Sequence, residues 1–286
     1  MRNTLADLKL QYQAINPSRF EQLLPRFASL SADPQAHYMD LYTDSNGTEI
    51  LHNMVGQYAP GTNGRWFRLA LNGATKLVVG NLLQGAAEDS QFDAMAVTAS
   101  AVSTSGIQTV NVTNGTTTVN MGDYMGGSVG VNVTPDLGSD YVITGHTTAT
   151  SGGALVLTID RKLQNAWTTS TKVNMKRNPW AGVIQNIATT PTQMPTGVAI
   201  WPILATTVAT TTSWGTPQYG WIQTHGVSTV SADASAILKG SAVSTGSGTA
   251  GAVQLHPFSG NASGVGNALM PNGSASKDIA IFLTID

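Results

Sequence analysis

Between residues 101 and 178 the apolar side chains fall on every second position, in short runs interrupted by turn formers. Val129, Val131 and Val133 share one face of an extended chain, because side chains alternate along a strand. Residues 140–144 and 154–159 read as further strands, with Gly138-Ser139 and Ser151-Gly152-Gly153 as turns. Asn114-Gly115 lies between Val110-Asn111-Val112 and residues 116–119, which predicts a two-residue hairpin whose central residues both take positive φ. Such a chain forms antiparallel, half-buried sheet rather than helices. The spacing suits small antiparallel barrel or sandwich modules.

The same style extends to both sides. Residues 65–71 and 76–79 read as strands around the turn Asn72-Gly73, and 92–101 continue the sheet. Later candidates are 183–187, 197–204, 219–224 and 279–283, separated by Thr-rich (205–213) and Gly/Ser-rich (241–251) loops. No solenoid-like repeat of fixed period stands out.

The N-terminal stretch differs. Leu5, Leu8, Tyr12 and Ile15 are spaced 3, 4 and 3 apart, as on one face of a helix. Asn16-Pro17 then suits a cap and first turn, and Phe20, Leu23, Leu24 and Phe27 give a second stripe. The expected organisation is therefore an arm with short helices over residues 1–45 and a β-rich body over 46–286, containing a compact module at about 101–178. Helices this short need a surface to dock on. Leu5, Leu8, Tyr12, Phe20 and Leu23 are candidates to contact the body, a neighbouring subunit or a larger shell.

Composition narrows the function. Charged residues are 10%, against about 25% in ordinary soluble proteins. With 14 basic and 16 acidic side chains the net charge is -2, too poor in cations to neutralise many phosphates. Neither nucleic acid nor membrane is an expected partner: no run approaches ~18 apolar residues, and residues 1–10 lack the apolar stretch of a signal peptide. Cysteine is absent, which removes disulfides and zinc–thiolate clusters. Low charge and many strand edges favour closed symmetry, and a homotrimer is expected.

Chemistry-bearing motifs are sparse. Residues 246–251 spell GxGxxG, yet they sit in a Ser/Gly-rich stretch before a short strand, so a loop is expected rather than a dinucleotide site. His37, His52, His146, His225 and His256 show no ligand spacing. Glu88-Asp89 is the only local carboxylate pair and reads as a solvated loop. Lys172, Lys176 and Arg177 read as a solvated strand end. Six Asn-x-Ser/Thr sites arise by chance in a chain this rich in those residues, of which Thr alone is about one in eight. No catalytic residue, metal or cofactor is expected. Trp221, Gln223 and His225 alternate on one strand and would point one way, as a sugar platform, a subunit contact or a half-buried strand end.

Tyr219-Gly220-Trp221-Ile222-Gln223-Thr224-His225-Gly226 resembles a strand of structural proteins of tailed bacteriophages, cyanophage-like ones included. The order of Val110-Asn111-Val112, Tyr124-Met125-Gly126-Gly127, residues 141–145 and Asn178-Pro179-Trp180 is similar too. The resemblance spans roughly residues 90 to 286 and rests on turns and aromatics. It implies a head decoration (cement) protein, made in the host cytoplasm and bound to the major capsid protein on the virion exterior. The alternative is a tail fibre or receptor-binding module recognising host surface glycans.

Overall fold

The computed structural model describes residues 54–98, 106–134, 136–188, 192–207, 209–213, 215, 217–233, 236–257, 263–271 and 278–285. The expected arm, with Leu5, Leu8, Tyr12, Phe20 and Leu23, lies outside the described residues.

The protein is mainly β, with mostly antiparallel, barrel-like sheets. In chain order the strands are β1 (Tyr58–Pro60), β2 (Trp66–Asn72), β3 (Leu82–Gln84), β4 (Met95–Ala96), β5 (Thr109–Thr113), β6 (Ser128–Val131), β7 (Asp140–His146) and β8 (Ala154–Ile159). They continue with β9 (Lys172–Lys176), β10 (Ala181–Gln185), β11 (Pro195–Ala199), β12 (Tyr219–Ser231), β13 (Ala242–Thr245), β14 (Val253–Leu255), β15 (Gly264–Ala268) and β16 (Asp278–Thr284).

Three rings of strands follow from the pairings. In the first, β2, β10, β3, β11 and β12 pair in that order, and β12 pairs back with β2. In the second, β4, β9, β6, β7, β8 and β5 pair in order, and a bridge between Val97 and Val112 brings the ends together. The third runs from the C-terminal half of β12 through β16, β15, β13 and β14, and returns through a parallel bridge between Ala232 and Val253. The second barrel occupies the chain between β3 and β10, so it is an insertion within the first.

Each ring has its own core. Alternation supplies the second, where Val110, Val112, Val129, Tyr141, Ile143, Leu155, Leu157 and Val173 point inward with Trp167. Ala70, Leu77, Leu83, Val183, Ile203 and Ile222 fill the first. Val230, Val243, Val253, Val265, Ile279 and Ile281 fill the third. The other side of β2 and β12 is covered as well: Leu69, Tyr219 and Trp221 pack beneath Met54, Val55 and Ala59.

Asn114-Gly115 does not make the expected hairpin: β5 pairs with β8 rather than with residues 116–119. After the turn at Asn72-Gly73 the chain enters no strand before β3. The buried Asn114 side chain instead donates from Nδ2 to the carbonyls of Thr117, Ala149 and Thr150. Asn72 does the same to Thr75, Ile203 and Leu204. One amide thus ties carbonyls of two segments that are distant in sequence, a stronger local demand than a solvent-exposed turn. The expected strand at 76–79 is reduced to a bridge between Leu77 and Ile203.

These two asparagines expose an internal duplication. The pattern Asn-Gly-x-Thr at 72–75 recurs at 114–117, and Gly80 and Gly85 recur as Gly122 and Gly127, at one constant offset. Leu77 bridges Ile203 as Val119 bridges Ala149. Gly80 and Gly122 both stand in the left-handed region, at φ 83° and 77°, where a side chain would strain the backbone. The neighbour order β2–β12–β11–β3 matches β5–β8–β7–β6. The inserted barrel therefore repeats four adjacent strands of the barrel that hosts it.

Candidate binding surface

The proposed row of Trp221, Gln223 and His225 is corrected by the ladder. Between Gln223 and His225 the register of β12 against β2 slips, so the alternation breaks there. Trp221 is 3% exposed and Gln223 1%, both inside the body; only His225 reaches the surface region. Gln223 donates from Nε2 to the carbonyls of His225 and Val227, so its side chain lies along its own strand on either side of Gly226.

His225 joins a different set of rings. It stacks on Trp66, its cross-strand neighbour, at 4.3 Å between centroids and 23° between planes. Tyr58 meets Trp66 edge-on at 5.6 Å, and Phe282 meets His225 edge-on at 5.1 Å. The four rings cross β1, β2, β12 and β16, and Tyr58, Trp66 and Phe282 remain 36–38% exposed. Nothing in their spacing marks Tyr58, Trp66 and Phe282, because three separate strands bring them together. Sequential neighbours on one strand were the readable signal, and they led inward.

Beside this row lies a cavity of about 250 Å³ lined by Arg65, Val79, Ile200, Gln223, Val227 and Thr229, among others. Arg65 precedes Trp66 in the chain, and Val227 stands directly opposite Phe282 in the β12–β16 ladder. The Arg65 guanidinium sits 5.8 Å from the centre of the Phe67 ring.

The acidic and basic groups singled out by sequence meet where the chain passes between the first two barrels. Glu88 accepts the backbone N–H of Arg177, and the Arg177 guanidinium stands 3.9 Å from Asp123 and over the Tyr124 ring. Arg177 is thus not a solvated strand end. Burial pushes the Glu88 carboxyl above its ordinary value despite the pull of Arg177. Burial also pushes the Tyr124 hydroxyl well up and holds His146 below its ordinary value. His146 Nε2 accepts the Tyr124 N–H, so the proton sits on Nδ1, which donates to the Thr147 carbonyl. Both ring nitrogens are engaged in holding backbone, which leaves neither free to act as a base in this arrangement. Asp89 caps a 3-10 turn through the Gln91 N–H and accepts the Thr117 hydroxyl.

The GxGxxG stretch, 246–251, is the loop joining the antiparallel pair β13 and β14, with the Gly248 N–H donated to the Asp233 carboxylate. It opens no helix, and so lacks the geometry of a pyrophosphate site. Among the described residues no three His, Asp or Glu side chains are grouped to hold a metal ion. His37 and His52 lie outside the described residues.

No protein-family model, curated protein or solved structure matches this chain.

Proposed function

We propose that this chain is a non-enzymatic structural protein of a tailed-phage virion, a decoration or cement protein that binds the major capsid protein on the outside of the head. One observation carries the reading. Val78, Leu137, Met194, Leu238 and Met270, all on connections between strands, are 52–64% exposed. Apolar side chains on loop tips are available for another molecule to cover, and covering them removes apolar surface from water. A net charge of -2 leaves little repulsion to oppose close packing of many copies. The barrels hold these tips on ladder-bonded scaffolds, so little ordering entropy is lost on contact.

The test is a reconstruction of the whole particle by electron cryo-microscopy. Density for the three barrels is expected on the outer face of the head, touching capsomers through the apolar tips. Density confined to a tail fibre would replace this reading with a receptor-binding one. A second measurement removes residues 1–30: the β body should still fold but lose its affinity for shells stripped of it.

A further inference from the structure

We infer that the cavity beside the ring row is a binding site for a carboxylate-bearing sugar unit of a surface polysaccharide. This goes beyond attachment to a shell and does not depend on which part of a particle carries the protein.

The chemistry follows from the lining. Arg65 supplies a forked cation, and no carboxylate is paired with it among the described residues. A guanidinium in that position selects a planar anion it can grip with two parallel N–H bonds. Gln223 is buried and spends its Nε2 on the His225 and Val227 carbonyls, which leaves Oε1 as the acceptor for a hydroxyl. Thr229 and Ser228 add hydroxyls that both donate and accept. Val79, Ile200 and Val227 supply apolar walls for the C–H faces of a ring. A cation at one side, hydroxyl partners and apolar walls together describe an acidic pyranose better than a purely apolar ligand.

Size and backbone chemistry point the same way. About 250 Å³ is small beside the roughly 300–1,000 Å³ of drug-sized sites, and suits one ring rather than a folded partner. A peptide bound as an added strand needs free backbone carbonyls. Here those of His225 and Val227 already accept the Gln223 amide.

The test uses the full chain and calorimetric titration with two oligosaccharides. One alternates glucuronic acid with N-acetylglucosamine; the other is the same oligomer with each carboxylate reduced to an alcohol. The acidic oligomer is expected to bind at least tenfold more tightly than the reduced one. Arg65→Gln should erase that difference, and Val79→Trp, which fills the cavity, should abolish binding of both. Thermal melts and shell binding of each variant, measured alongside, separate loss of the sugar site from loss of fold and from failure of the capsid reading. Equal affinity for the two oligomers, no binding by the native chain, or unchanged selectivity in a folded Arg65→Gln protein would overturn the inference. Free sodium glucuronate in competition distinguishes the sugar from a bare carboxylate such as acetate, which should not compete at the same concentration.

Discussion

Asp136 shows how much one buried carboxylate can organise. Its two oxygens accept from Tyr141 Oη, Trp167 Nε1, Ser139 Oγ and Asn165 Nδ2. Burial alone would raise its pKa, but these four donors outweigh burial and hold the carboxyl below the ordinary 3.8. Tyr141 and Trp167 are themselves buried in the second core, so Asp136→Ala orphans two donors where water cannot reach them. We expect a loss of about 3 kcal/mol, read by urea unfolding of the full chain. The sign with pH is fixed by the direction of the shift. A lowered folded pKa contributes stability that is complete above the ordinary 3.8 and is lost as pH falls through the folded value. The gap between wild type and Asp136→Ala should therefore narrow in that acid range; a gap that stays constant would mean the carboxylate charge is irrelevant. None of this was legible in the sequence, where Asp136 is one carboxylate in a loop. Asn72 and Asn114 teach the same lesson. Their Asn-Gly dipeptides were visible, but whether an asparagine turns a hairpin or ties three carbonyls depends on strands that are distant in sequence.

At the level of elements, β12 is the strand that matters most, since it forms a wall of both the first and the third barrel. Its apolar run at 219–224 was readable as a strand. Its continuation to Ser231 was not, because Gly226 and the Ser/Thr alternation after it look like a loop. Gly226 is where the strand passes from one barrel to the other. It has φ 85°, and a Cβ there would lie 2.9 Å from the Gly64 carbonyl oxygen and 3.1 Å from Arg65 Cα. Both obstacles are backbone and cannot rotate away. Gly226→Ala should cost about 2 kcal/mol, against at most about 0.5 kcal/mol for Thr229→Ser on the same strand. Hydrogen exchange should show the loss on β2 and β16 together; a loss confined to one of them would mean that β12 does not couple the two rings. The strands at 140–144 and 154–159 were legible with near-correct ends because alternation there is strict and their partners are close in sequence.

For the whole molecule, the mainly β class was readable from alternation, whereas the nesting of one barrel in another was not. Periodicity reports which face of a strand is buried, and says nothing about which strand lies beside it. The duplication was equally hidden, since the two copies share a few turn residues rather than a core. Low charge and apolar loop tips bear on assembly. We expect a homotrimer held by apolar and Thr-rich surfaces, sedimenting at about three times 29.8 kDa and little changed in 1 M salt, because few charges are available to screen. A monomer at micromolar concentration would refute it. The second core draws all its residues from 92–175, with Ile107 packed against it. A fragment of residues 88–178 is accordingly expected to fold alone with a cooperative melt, while the host without its insertion keeps the other three cores.

The nesting also dictates an order of events as the chain leaves the ribosome. β2 must wait for β12, which is made almost 150 residues later, before the first ring can close. All strands of the second ring, by contrast, emerge within residues 95–176. Local contacts form faster than distant ones, so the inserted barrel is expected to mature before its host ring can close. Once it has formed, Glu88 is held 3.3 Å from the backbone nitrogen of Arg177. What had been a long, floppy connection between β3 and β10 becomes a short tether, and the entropy of closing the host is reduced accordingly. The insertion is thus expected to act on its host as an internal chaperone, bringing together two ends that would otherwise have to find each other by diffusion; deleting residues 89–176 should slow refolding of the host, and an unchanged rate would refute this.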